Sequence, residues 1–229
     1  MDTSCEVQIR EMKKFEDRQV YNVFITMGCS VKESAFLALL FRKKSLTFLV
    51  CICCLVYFAL LPDGSVYSRL ILSIVCSMIL LVVFYKYEAF MHIKTFETKV
   101  ASEMLTDSFV FWNKDGRKML VAEYSGKVVA IVGIDHTAEP GTCEIKRMVV
   151  LPEYQGRGIG KKLLYSAEQT AISLGYRKVY LVTGQFQPQA IRFYHRMQYK
   201  PLPLKETDQG FITLTYRQHP FEKILYRDG

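Results

Sequence analysis

Residues 144–173 pass from strand through glycine-rich turn to helix, and residues 46–85 are apolar almost throughout. With the short alternating segments that follow residue 108, these stretches predict an α/β domain interrupted by an inserted membrane helical hairpin.

Composition narrows the class of partner. The formal net charge is +8 and the pI about 9.1, a balance that suits anionic ligands or a negatively charged membrane face. No basic run interleaves with aromatics, so no nucleic-acid partner is expected. Of the seven cysteines, Cys51, Cys53, Cys54 and Cys76 lie inside apolar stretches, while Cys5, Cys29 and Cys143 are scattered. That distribution matches reduced cysteines used as small hydrophobes, with neither a disulfide framework nor a metal site. The first thirty residues are polar and mixed in charge, so no signal peptide is expected there.

In chain order, Glu6–Arg10 alternates as a strand, and Lys14–Met27 reads as a helix with Phe15, Val20, Val23 and Phe24 as its apolar positions. Ala35–Phe41 is apolar and ends in Arg42, Lys43 and Lys44. Leu46–Leu61 then carries no charge over sixteen residues. Pro62-Asp63-Gly64-Ser65 is a turn by composition, and Val66–Tyr85 is apolar apart from Arg69. Sixteen helical residues reach only about 24 Å, short of a hydrocarbon core of about 30 Å. The basic residues at both outer ends nevertheless favour membrane insertion over a buried core pair. They also place the flanking domain on the cytosolic side. Tyr87–Leu105 reads as a returning helix. Phe109–Trp112, Lys118–Tyr124 and Lys127–His136 alternate as strands, with turns at Asp115-Gly116 and Ser125-Gly126. The domain organisation expected is 1–34, a hairpin over 35–86, and 87–229.

The strand Met148–Leu151 breaks at Pro152 and leads into Gln155-Gly156-Arg157-Gly158-Ile159-Gly160. A helix follows, with Ile159, Leu163, Leu164, Ala167, Ala171 and Leu174 at helical spacing. Backbone amides at such a strand–turn–helix junction point at one spot, where the helix dipole favours a phosphate or pyrophosphate. A P-loop needs Gly-Lys-Ser/Thr after a first glycine. Here Lys162 follows Gly160-Lys161, and Gln155 occupies the first glycine's place. A dinucleotide fingerprint lacks its spacing and its later acid. The remaining pattern, Gln/Arg-x-x-Gly-x-Gly/Ala after a strand, fits through Gln155, Gly158 and Gly160. Downstream, strand Val179–Thr183 precedes the segment 187–199, which contains Ala190, Phe193, Tyr194, Gln198 and Tyr199. Phe211–Arg217 reads as a late strand.

The two motifs resemble the coenzyme A pyrophosphate loop and the Ala-x-x-aromatic-Tyr helix of the GCN5-related N-acetyltransferase (GNAT) superfamily. Gln198 replaces the usual glycine at that helix end and Tyr199 the usual phenylalanine. The layout, with its membrane insertion, resembles the camello-like group, which includes cysteine-S-conjugate and aspartate N-acetyltransferases of the endoplasmic reticulum membrane. The resemblance implies a mixed, mostly antiparallel sheet with flanking helices, and acetyl-CoA as cosubstrate without a metal. It implies a small primary amine as acceptor and a lipid bilayer as partner. In that scheme Gln155, Gly156, Arg157, Gly158, Ile159 and Gly160 hold the pyrophosphate through main-chain amides. Backbone groups of Met148 and Val150 hold the pantetheine and receive the developing oxyanion. Tyr194 matches the family's general acid for the leaving thiolate, and Glu144, from its place on the strand before the loop, is the leading candidate base for the attacking amine, directly or through a water. Glu123, Asp135 and His136 are secondary candidates, and His195 is a surface or packing residue. The alternatives are a protein lysine or N-terminal acetyltransferase at the membrane, and a non-catalytic coenzyme-A-binding hairpin protein.

Overall fold

The computed structural model describes residues 6–26, 47, 50–54, 57, 65–104, 108–114, 116–208 and 215–226. The chain divides into two compact units: Met1–Cys29 together with Thr98–Gly229, and Ser30–Glu97.

In the first unit, eight strands among the described residues form one sheet. They are β1 (Gln8–Glu11), β2 (Lys118–Tyr124), β3 (Lys127–His136), β4 (Thr142–Val150), β5 (Lys178–Gly184), β6 (Lys200–Pro201), β7 (Lys205–Asp208) and β8 (Thr215–Ile224). Their order is β1-β2-β3-β4-β5-β8-β6, with β7 also on β8. Only β4 and β5 run parallel; the other pairs are antiparallel. The mixed, mostly antiparallel sheet is thus as expected. β3 is buried along nearly its whole length because both its faces are covered.

Helix α1 carries residues 17–26, starting later than the expected Lys14. Phe15 sits at φ 77, which no helix accommodates, and the carbonyl of Glu16 accepts the first helical bond from Val20 (3.0 Å). Residues 108–112 correct the sequence reading: Phe109–Trp112, expected as a strand, belongs to a short helix, α3 (Ser108–Trp112). Asp17 Oδ1 accepts the Phe109 amide at 3.1 Å, and the Trp112 ring lies over Gly133 of β3. Those tertiary contacts outweigh the local alternation of aromatics.

Helix α4 (Ile159–Ser173) joins β4 to β5 and packs on β2, β3 and β4. Ile159, Leu163, Leu164, Ala167 and Ala171 are buried as their spacing requires, and Glu168 is buried with them. Helix α5 (Pro188–Arg196) follows β5.

Helix α2 begins at Val66 in the second unit and runs unbroken to Met104, its last residues belonging to the first. The apolar arm Val66–Tyr85 and the returning helix Tyr87–Leu105, read separately in the sequence, are one helix, and its 39 residues measure about 58 Å. Val66–Phe84 is, among the described residues, long and apolar enough to cross a membrane. Its Leu70, Ile71, Ile74, Met78, Ile79 and Val83 are exposed, while Ser73 and Ser77 are buried. Ser73 Oγ donates to the carbonyl of Cys53 at 2.6 Å, and Arg69 Nη2 donates to that of Tyr57 at 3.2 Å. One index rises by four as the other falls by four, the register of an antiparallel helical pair. Most of the expected first arm (35–61) and its Pro62–Gly64 turn lie outside the described residues, as do 211–214 of the expected late strand.

Candidate active site

The site forms where β4 leaves β5. The two strands pair in parallel only from Thr142–Lys178 to Ile145–Leu181. Beyond that point β4 stays on β3 and β5 stays on β8 as far as Gly184. A bulge lies at the parting point. Between Ile131 and Gly133 the β3 register slips by one residue against β4, and Arg147 takes φ 55. Bulges bend a strand and re-aim its side chains. The Arg147 guanidinium stacks on the Phe24 ring of α1 at 5.2 Å.

The ladder next to the gap orients the backbone. Leu151 N–H donates to the carbonyl of Val129 at 2.9 Å, and Ala130 stands opposite Val150. In an antiparallel ladder, bonded and non-bonded pairs alternate, so the N–H and C=O of Val150 face away from β3, toward the gap. The Val150 carbonyl accepts Gln155 Nε2 at 2.9 Å, pinning the turn to the strand end. That side-chain role was not foreseen for Gln155.

A 3-10 turn, Pro152–Tyr154, leads into the glycine loop. Gly156 has φ 76 and Gly158 φ 77, and both are exposed. Gly158 is the N-cap of α4, without a side-chain cap and without an acid in the first turn. The first helical bond runs from Lys162 N–H to the Gly158 carbonyl (3.1 Å). The amides before Lys162 are therefore orphan donors at the positive end of the helix dipole. Exposed Arg157, Lys161 and Lys162 add positive charge. An exposed amide cluster, neighbouring bases and a first helical turn without an acid suit a diphosphate. Gly160 lies close to Val150, Met148 and Phe193, with 3.7–3.8 Å from a notional Cβ to each.

Tyr194 is 8% exposed, and its hydroxyl lies 3.8 Å from Met148 Sδ, a weak acceptor on β4. The rings of Phe193, Tyr199 and Phe221 surround it at 5.4, 5.7 and 5.8 Å. Burial pushes the phenol up to about 12. The structure thus brings together Tyr194, Met148, Val150 and the loop 155–160. Gln198, at the helix end, adopts φ 62 in glycine's place.

Glu144 lies on β4 just before the parting point. Lys146 Nζ sits 3.1 Å from Glu144 and 3.0 Å from Asp135, and Arg117 Nε bonds Asp135 at 2.7 Å. Burial alone would lower Lys146; the Asp135 hydrogen bond and the Glu144 charge instead hold it above its ordinary value. Burial alone would raise Asp135, but the bonds from Lys146 and Arg117 hold it below the usual carboxylate range. Asp135 is thus committed to this ionic network. His136 is exposed, with Nδ1 3.3 Å from Asp135. Glu123 is tied to Arg10. His195 is exposed and stacks edge-on to Phe221 at 5.2 Å, the packing role expected of it. Among the described residues no group of three or more metal-ligating side chains occurs.

The profile of the acetyltransferase (GNAT) family matches residues 85–199. An uncharacterised N-acetyltransferase of Escherichia coli, YjgM, is 32% identical over 103 residues, 44% of this chain and 62% of that protein. N-acetyltransferase family 8 member 2 of Rattus norvegicus is 34% identical over 101 residues, 42% of each chain. N-acetyltransferase 8 of the same organism is 30% identical over 103 residues, 43% of this chain and 44% of that one. The chain thus spans about half the length of the curated relatives it matches. An acetyltransferase structure from Staphylococcus aureus Mu50 superposes with a TM-score of 0.57 at 13% identity. It covers 96% of this chain and 100% of its own, a likeness of fold alone. Matched over half its length by the family profile and aligned with several N-acetyltransferases, this chain belongs to the acetyltransferase (GNAT) family.

Proposed function

We propose that the protein is a membrane-anchored N-acetyltransferase. It would transfer acetyl from acetyl-CoA to the primary amine of a small amino acid or amino-acid conjugate. The observation that carries this reading is the gap between β4 and β5. A turned-in Val150 amide group lies on one side of it, and the orphan amides of the 155–160 loop lie at its end.

The thioester supplies an activated acetyl carbon for direct attack by the amine. The loop amides and the start of α4 hold the diphosphate. Main-chain groups of Met148 and Val150 align the pantetheine arm, and an N–H there receives charge building on the carbonyl oxygen. Tyr194 gives its phenolic proton to the departing thiolate. Glu144 takes the ammonium proton, directly or through a water, in a site that Lys146 keeps electrostatically balanced. Arg147, at the parting point, favours an acceptor that bears a carboxylate.

The anchor is the apolar hairpin. Val66–Phe84 presents exposed leucine, isoleucine and valine side chains with small polar residues turned toward its partner segment, an arrangement suited to lipid. The flanking bases favour a cytosolic catalytic domain, and the sequence layout resembles that of the camello-like group of the endoplasmic reticulum membrane. Labelled acetyl-CoA offered to detergent-solubilised protein with free amino acids, S-substituted cysteines and lysine peptides tests the reading. Acetylation of the first two classes is expected. Failure of calorimetry to detect acetyl-CoA uptake by folded protein would overturn it.

A further inference from the structure

We propose that Tyr199 and Glu168 act as positioning residues, with Lys223 only offsetting the buried charge, fixing the Tyr194 phenol against Met148 and tying it to the helix that carries the anion-binding turn. The inference rests on Tyr194 being the general acid.

Glu168 occupies the buried stripe of α4 one turn beyond Leu164, where an apolar side chain would pack. Its carboxylate is 6% exposed as a residue, and both oxygens lie 2.9 Å from Lys223 Nζ of β8. Tyr199 Oη donates to Oε1 at 2.9 Å. A buried ion pair of this kind adds little stability over well-packed hydrophobes, because desolvation offsets the attraction. What it does supply is a fixed acceptor at one point in space.

That point holds Tyr199 at its far end. The near end is held by the backbone: Tyr199 N–H donates to the Tyr194 carbonyl at 3.0 Å. Pinned at both ends, the Tyr199 ring forms one wall of the aromatic box around Tyr194, at 5.7 Å and 63°. The other walls, Phe193 and Phe221, have no polar anchor of their own. The Lys223 ammonium lies 5.3 Å from the Tyr199 ring and adds a cation–π contact. Among the described residues the hydroxyl of Tyr194 meets the soft acceptor Met148 Sδ, a weak contact, so its placement depends on these walls. Helix α4, the turn that closes α5 and strand β8 meet through one carboxylate.

Two paired variants of the detergent-solubilised full chain separate positioning from bulk stability. Glu168→Gln with Lys223→Met removes both charges but leaves an amide oxygen for Tyr199. Glu168→Leu with Lys223→Met removes the acceptor as well. With S-benzyl-L-cysteine as the amine, the Gln/Met variant is expected within about twofold of the parent kcat. The Leu/Met variant should be about tenfold lower with an unchanged KM for acetyl-CoA. Adding Tyr194→Phe to the Leu/Met variant should cost nothing beyond Tyr194→Phe alone. Equal kcat in the two paired variants, or losses that multiply, overturns the inference. Spectra of protein labelled at the tyrosine ζ-carbon decide it without any acceptor. The Tyr194 line, identified by its loss in Tyr194→Phe, should broaden or split in the Leu/Met variant only, and an unmoved line overturns the proposal. Full kcat in Tyr194→Phe would remove the acid reading itself, a result distinct from either.

Discussion

Gly158 and Gly160 stand two positions apart in one turn and differ in what they need. Gly158 has φ 77 and open space around it, so its requirement is conformational. Gly160 is helical, and an added Cβ would meet Val150, Met148 and Phe193 at ordinary contact distance. Gly158→Ala should therefore strain the loop by about 1–2 kcal/mol and weaken acetyl-CoA uptake about tenfold. Gly160→Ala should leave uptake within about twofold; calorimetry on the two variants checks both. Gln198 shows the converse, a side chain in the left-handed region that glycine takes more cheaply. Gln198→Gly should raise stability by about 0.5–1 kcal/mol, relief of strain outweighing the added unfolded-state entropy, read as a higher Tm. Under the proposed acid role, Tyr194 must be protonated to act, so its contribution is lost only as pH rises through a pKa pushed up to about 12. The pH–rate profile should show no alkaline limb near pH 10, where an exposed phenol titrates, and Tyr194→Phe should lower kcat about 100-fold while acetyl-CoA still binds.

At the level of elements, α5 ends in a complete Schellman motif despite the missing glycine. Gln198 N–H bonds the His195 carbonyl and Tyr199 N–H the Tyr194 carbonyl, each at 3.0 Å. The Tyr194–Tyr199 ring pair supplies the accompanying apolar contact. α4 ends the same way through Gly175 at φ 90. Helix α3 and strand β3 depend on one another through Trp112. A Cβ on Gly133 would come within 2.5 Å of the indole ring, and Trp112 is 1% exposed. Gly133→Ala should cost about 1–3 kcal/mol by overpacking, measurable in chemical denaturation. The helical spacing of α4 and the glycine loop were legible in the sequence because both are local patterns. The α3 helix was not, since Phe109–Trp112 alternates like a strand and contacts with Asp17 and Gly133, distant in sequence, favour the helix. Glu168 did carry a signal, a charge on an apolar stripe, which points to a buried partner without naming it.

Across the whole molecule, charge pairs join distant parts of the sheet. Burial would raise Asp135, yet Lys146 and Arg117 hold it low. Glu16 is lowered chiefly by its hydrogen bond from Arg10. Carboxylates depressed in the folded state contribute stability above their unfolded values and lose it as pH falls through the folded ones. The protein should become acid-labile below about pH 4, and Asp135→Asn should flatten that dependence; circular dichroism against pH checks it. Under the proposed anchoring, the full chain should stay with membranes after an alkaline wash. Ile74→Lys together with Ile79→Lys should release it, each lysine costing about 2.5–3.5 kcal/mol in hydrocarbon.

Read alone, the residues were enough for the α/β class, the glycine-rich turn before a helix, the tyrosine-bearing helix and an apolar stretch, because each is written in contiguous spacing. Tertiary structure alone decided that β4 bulges at Arg147 and parts from β5, which turns Val150 inward. It also decided that α2 continues past Lys86, and that Glu168, Tyr199 and Lys223 converge beside Tyr194. Those outcomes depend on pairing and burial between residues tens of positions apart, and the free energies that settle them come from the neighbours each residue meets only after folding.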